Sequence, residues 1–128
     1  MSQTNRMACG IDIGGSGIKG ALVDLETGEF AGERVRIDTP RPSTPKAVAK
    51  VCRTIIDRLG VEEDVPVGIT FPAPIVHGTI PFIANLDKSW KGVNVDELMT
   101  PERIQIKGPI SINYYRCQNP TAPKSSTT

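Results

Sequence analysis

Apolar residues dominate Met7–Ile13 and return over Ile18–Asp24, with Gly14-Gly15-Ser16-Gly17 between them, which predicts two strands joined as a glycine-rich hairpin. After a turn at Asp24–Gly28, Val35 and Ile37 alternate with Arg34 and Arg36, so Gly32–Asp38 reads as a third strand and the three form a meander. The period then changes. Val48, Val51, Cys52, Ile55, Ile56 and Leu59 recur every three or four residues, the mark of a helix with one buried face. Ser43 or Thr44 supplies its N-cap, Pro45 lies in its first turn, and it ends near Gly60, with Lys50, Arg53, Asp57 and Arg58 on the solvated side. Val65–Phe71 reads as a short strand opening into Pro72-Ala73-Pro74, and Ile75–Ile80 as a hairpin turning at His77-Gly78. A short helix is expected from Asp96, limited by Pro101. A last strand pattern appears at Ile104, Ile106, Ile110 and Ile112, interrupted by Gly108-Pro109. From Cys117 onward no large apolar residue remains to offset the entropy of ordering, so the tail is expected to be disordered.

A chain of 128 residues can build one domain with a real core but not two closing lobes. Lys+Arg 15 against Asp+Glu 14 leaves a net charge of +1 without a basic run, which argues against nucleic acid and for small molecules or protein as partners. No apolar stretch reaches transmembrane length and Met1–Arg6 is polar, so a cytoplasmic protein without a membrane partner is expected. Cys9, Cys52 and Cys117 are odd in number and widely spaced, and read as reduced thiols rather than disulfides or zinc ligands.

The glycine-rich turn carries the first candidate chemistry. Gly14, Gly15 and Gly17 let the backbone approach a ligand, so that successive N–H groups can converge on phosphate oxygens. Asp12, just ahead of the turn, is placed to reach a hydrated Mg²⁺ beside them. Ser16 adds a hydroxyl and Lys19 a positive charge, although Lys19 also fits a solvated strand face. The spacing fits neither a Walker A loop nor a dinucleotide fingerprint, since strand rather than helix follows. The plain alternative is a hairpin without a ligand.

Asn85, Asp87, Lys88, Ser89 and Trp90 form the second cluster. Amide and carboxylate groups can bind sugar hydroxyls in fixed directions, and an indole offers a flat apolar face. The alternative is an ordinary turn with Trp90 anchored in the core.

Together, Gly10–Asp24, Thr39-Pro40, Gly68–Pro72 and Ala84–Asn94 resemble the ROK family of sugar kinases and repressors, and within it the polyphosphate-dependent glucokinases. The resemblance implies an α/β fold: the N-terminal lobe of an actin-like, ribonuclease-H-like ATPase, a mixed sheet with flanking helices. It also implies that Asp12 lies near Mg²⁺, bound through water, and the transferred phosphate. Gly14, Gly15, Ser16, Gly17 and Lys19 would cradle the donor, Asn85 would bind glucose hydroxyls, and Asp87 and Lys88 would order the sugar loop. The reaction implied moves a phosphoryl group from polyphosphate or ATP to the 6-hydroxyl of glucose, with a carboxylate accepting the hydroxyl proton. Full-length members are expected to be homodimers.

Agreement runs from about residue 8 to about residue 106. The family ends its next strand with Asn-Asp, and that aspartate is the base. Here Asn113 is followed by Tyr114, and a phenol, with an unperturbed pKa of about 10, is no fair substitute for a carboxylate base. Ala73-Pro74 also departs from the family's glycine after the first proline. The expected organisation is a disordered N-terminus over 1–7, a ROK lobe over 8–112 and a non-family, disordered tail over 113–128, as a shifted or shortened reading frame would leave. On this reading no catalytic residue is assigned and the lobe is truncated and inactive alone. The alternative is a remnant that binds phosphate or nucleotide, or docks on an oligomer, without catalysis. A repressor would need a DNA-binding domain ahead of the glycine-rich turn, for which Met1–Ala8 leaves no room.

Overall fold

The computed structural model describes residues 6–62, 65–104, 110–114 and 125–127, with 113, 114 and 125–127 described by their backbone alone. In chain order the elements are β1 (Met7–Ile13), β2 (Gly17–Asp24), β3 (Val35–Asp38), α1 (Pro45–Leu59), β4 (Val67–Phe71), a 3-10 turn (Lys88–Trp90), α2 (Val95–Leu98), α3 (Pro101–Ile104), β5 (Ile110–Tyr114) and β6 (Ser125–Thr127). They build a mixed sheet in the order β3-β2-β1-β4-β5-β6. The β1-β2-β3 meander is antiparallel, β4 and β5 run parallel to β1, and β6 returns antiparallel on β5. The parallel step from β1 to β4 needs a crossover, which β2, β3 and α1 provide.

Strand alternation sorts the sheet into two unlike faces. Cys9, Ile11, Ile13, Ile18, Val67, Ile69, Ile110 and Ile112 are buried in one core with Val48, Cys52, Ile55 and Ile56 of α1. Gly10, Asp12, Lys19 and Thr70 occupy the opposite parity, and all four reach solvent. Gly20 permits close packing of helix on sheet, because a Cβ there would lie 2.3 Å from Ile55 Cγ2.

The ends of α1 follow their local chemistry. Thr44 Oγ1 accepts from the Ala47 N–H at 3.3 Å, and Gly60 closes the helix in the left-handed region at φ 64. The expected hairpin at His77-Gly78 forms, with φ of 52 and 79 and paired backbone bonds between Val76 and Thr79.

Several boundaries differ from the sequence reading. β1 starts at Met7 as the strand pattern expects, which takes Met7 out of the unstructured terminus drawn over 1–7, whereas residues 1–5 lie outside the described residues. The third strand begins at Val35, because Gly32 holds φ 96 and keeps the chain in its turn. The helix expected at Asp96 is capped by Asn94, whose Oδ1 accepts from the Glu97 N–H at 3.0 Å. Pro101 begins α3, so Ile104 is a buried helical residue and not a strand residue. In the tail, Asn113 and Tyr114 continue β5 and Ser125–Thr127 pairs with it. Backbone hydrogen bonds on an open strand edge need no apolar side chain, which is why a polar segment can be strand there. Residues 105–109, 115–124 and 128, with Ile106, Gly108-Pro109 and Cys117, lie outside the described residues. No helix among the described residues is long and apolar enough to cross a membrane.

Candidate functional site

The register places a polar row across the open face of the sheet. Lys19 pairs with Asp12 across β1–β2 and with Arg36 across β2–β3, while Thr70 sits beside Asp12 on β4. Thr70 Oγ1 donates to Asp12 Oδ1 at 2.7 Å and so fixes the rotamer of an exposed carboxylate. Asn113 takes the register position beyond Thr70, and Tyr114 the one beside Phe71. Sequence reasoning found Asp12 and Lys19 but missed Thr70 and Arg36, although strand alternation places all four on one face. Asp12, Lys19, Phe30, Arg34, Arg36 and Thr70 line a groove of about 560 Å³, where the Arg34 guanidinium lies 4.8 Å from the centre of the Phe30 ring.

The glycine-rich turn sits at the end of this row. The Gly14 N–H donates to Gly17 O at 3.0 Å, so this amide closes the turn and the expected convergence of N–H groups on a phosphate falls to the rest of it. Gly14 has no room for a side chain, since a Cβ would stand 2.9 Å from Gly17 O. Arg36 lies across Gly17 and donates to Ser16 O at 3.3 Å, while also pairing with Asp38. Thr39 is the buried anchor, 5% exposed. Its hydroxyl donates to Gly14 O at 2.7 Å and its N–H to Ser16 O at 3.1 Å.

The second cluster packs directly against the first. A Cβ on Gly15 would meet Asn85 O at 3.0 Å and Asn85 Cβ at 3.2 Å, so glycine at this position lets the two loops touch. Asn85 and Lys88 are exposed. Asp87 caps the 3-10 turn, accepting from the Ser89 N–H at 3.0 Å and from the Ser89 hydroxyl. Those bonds favour the ionised form and hold the Asp87 carboxyl below its ordinary range. Trp90 is fully buried, with its ring centre 4.8 Å from that of Phe71, and its Nε1–H donates to Ser43 O at 2.7 Å. The indole is therefore a core anchor and not a face for a sugar, because the loop needs one large apolar residue to hold it down.

Cys9 and Cys52 are buried free thiols. Burial pushes Cys9 up to about 11 and Cys52 up to about 12, the latter with a contribution from Cys9. No cluster of three or more His, Cys, Asp or Glu side chains suited to a metal occurs among the described residues. Asp12 offers a single exposed carboxylate, which suits an ion such as Mg²⁺ that keeps most of its water.

Comparison with known proteins gives a consistent picture. The model of the ROK family matches residues 8–108. A polyphosphate glucokinase of Mycobacterium tuberculosis is 44% identical over 99 residues, covering 77% of this chain and 37% of that protein. The crystal structure of an inorganic polyphosphate/ATP-glucomannokinase from Arthrobacter sp. strain KM superposes with a TM-score of 0.74 at 39% identity, covering 86% of this chain and 44% of the other. A ROK family glucokinase from Streptomyces griseus, solved with glucose and AMPPNP, shares the fold with a TM-score of 0.68 at 23% identity, covering 84% of this chain and 33% of the other. The chain thus spans less than half the length of each of these relatives. The mixed sheet with flanking helices has the actin-like fold of these sugar kinases, as expected from the sequence.

Proposed function

The chain belongs to the ROK family, and from that premise we propose that it supplies the donor-binding half, and part of the sugar loop, of a glucokinase using polyphosphate or ATP. The observation that supports this reading is the close approach of Gly15 to Asn85, which sets the glycine-rich turn and the Asn85 loop side by side, the proposed sites for donor phosphate and sugar. Phosphoryl transfer depends on such juxtaposition more than on covalent chemistry.

In this reading Gly15, Ser16 and Gly17 hold donor phosphate oxygens and Lys19 offsets their charge, while Gly14 shapes the turn. Asn85 binds glucose hydroxyls, and Asp87 and Lys88 order the loop that presents it. Asp12 would hold hydrated Mg²⁺, oriented by Thr70. When bound, the ion would neutralise charge on the phosphates. Full-length family members would be homodimers, and this chain would be cytoplasmic, in a compartment that keeps thiols such as Cys9 and Cys52 reduced.

The acceptor proton needs a base, and in this reading Tyr114 takes the place of the family's aspartate. A phenol with a pKa of about 10 is protonated at neutral pH. Loss of a general base lowers rates ~10²–10⁴-fold, so the 128-residue chain by itself is proposed to bind its donor without efficient transfer.

The test is glucose-6-phosphate formation by the purified chain with Mg²⁺, glucose and either polyphosphate or ATP, beside calorimetric donor binding and an Asp12→Ala control. Donor binding that weakens in Asp12→Ala, with no turnover, is expected. Turnover above the control would reveal a base in this chain, and absence of any donor binding would refute the assignment of the turn.

A further inference from the structure

The segment between β3 and α1 holds both loops of the site. Thr39, at its start, grips the glycine-rich turn through two hydrogen bonds, to Gly14 O at 2.7 Å and to Ser16 O at 3.1 Å. Ser43, near its end, grips the Asn85 loop through two more. Its Oγ accepts from the Asp87 N–H at 2.9 Å, and its carbonyl accepts from Trp90 Nε1–H at 2.7 Å. Thr44, the next residue, caps α1 and so ties the end of the segment to the buried helix. Arg36 of β3 also donates to Ser16 O at 3.3 Å, but it reaches the glycine-rich turn alone; among the described residues the segment over 39–43 bonds both loops, and the two meet directly at Gly15 and Asn85.

We infer that residues 39–43 form a strap whose positioning residues, Thr39 and Ser43, fix the two loops relative to each other, so that a change in either loop is transmitted to its neighbour. The identity of the two ligands rests on the proposed function, but the mechanical link does not. Coupling of this kind is reciprocal: whatever orders the phosphate-binding turn also favours the ordered Asn85 loop, to the same extent in both directions. The two ligands would accordingly bind with positive cooperativity.

The experiment is amide and indole hydrogen exchange by NMR on the full 128-residue chain without ligand, comparing wild type, Thr39→Val, Thr39→Ser and Ser43→Ala. Ser43→Ala removes the acceptor of the Asp87 N–H and is expected to speed exchange about fivefold at Asp87 and Trp90 Nε1, the weight of one net hydrogen bond. The decisive signal is at the far loop, where Gly14 should also exchange faster in Ser43→Ala, and Asp87 and Trp90 Nε1 in Thr39→Val. Thr39→Ser, which keeps the hydroxyl, should restore wild-type rates. Acceleration confined to the substituted side overturns the inference. If Thr39→Val does not fold, the Gly14 rate in Ser43→Ala decides alone. Adding polyphosphate to the same samples separates the two claims, since a chain that shows the cross-loop effect but no shift with polyphosphate would retain the strap and lose the donor assignment.

Discussion

Replacing Gly20 by alanine tests how closely α1 lies on the sheet that carries the site. The new Cβ would stand 2.3 Å from Ile55 Cγ2 and 3.4 Å from Leu59 Cδ1. Carbon atoms rest comfortably at ~3.5–4.0 Å, so the first contact must open by more than ~1 Å. Ile55 is fully buried and branched at Cβ, which leaves it little freedom to turn away. The helix must lift or β2 must sink. Overpacking of this kind costs ~1–3 kcal/mol, whereas the reduced entropy of the unfolded chain returns only ~0.4–1 kcal/mol. The steric effect wins, and Gly20→Ala should destabilise the chain by ~1–2 kcal/mol.

Urea unfolding followed by Trp90 fluorescence and far-UV circular dichroism measures this, in a cycle with Ile55→Ala. The Ile55 truncation alone should cost ~2–5 kcal/mol but makes room for the alanine. In that background Gly20→Ala should be neutral or stabilising, which gives a coupling energy of ~1–3 kcal/mol. Neutrality of Gly20→Ala in the wild-type background, or additivity within ~0.5 kcal/mol, would refute the close approach of helix and sheet.

Three further outcomes are expected. Thr70→Val removes the donor that orients Asp12, so Mg²⁺-dependent polyphosphate affinity should fall ~10-fold while stability changes by under ~1 kcal/mol; calorimetry with and without Mg²⁺ checks this, and unchanged affinity argues against the role. Because the folded Asp87 carboxyl titrates below its unfolded value, its cap is fully present above the ordinary carboxylate range and is lost as pH falls through the lowered pKa. The Asp87 side-chain carbon should therefore titrate in more acidic solution than a free aspartate, and Ser89→Ala should move that titration upward. In a Cys117→Ser background, Cys9 and Cys52 should resist iodoacetamide at pH 8 in the native chain and react in urea, since burial keeps both protonated; rapid native labelling would contradict the packing beneath α1.

Elements whose residues answer to one local rule were legible in the sequence. The paired strands of β1 and β2, the apolar stripe of α1 and the turn at His77-Gly78 all follow from period or turn chemistry, whereas the choice of Thr44 over Ser43 as the cap of α1 comes from the structure. Where two readings share a residue type, the pattern alone could not choose. Pro101 both stops one short helix and opens the next, so Ile104 joined the wrong element. Trp90 could have been a binding face or an anchor, and only the position of Phe71 and the Ser43 carbonyl decides for the anchor. At the site, Asp12 and the glycines announce themselves by type and spacing. Thr39 and Thr70 do not, because their importance lies in what they touch across 25 and 58 residues of chain.

The alternation along β1 gives folding a way to check the site. Cys9, Ile11 and Ile13 fill the core, while Asp12 between them stands on the open face beside Thr70. A strand paired one residue out of step would exchange these roles, driving a carboxylate beneath α1 and two isoleucines into water. An unpaired buried charge costs several kcal/mol and each exposed isoleucine forfeits ~1.5–3 kcal/mol, which together rival the whole stability of a small domain. A mispaired chain therefore cannot persist with a damaged site. Any molecule that remains folded has already brought its aspartate to the correct side, so correctness of the site is enforced by survival of the fold.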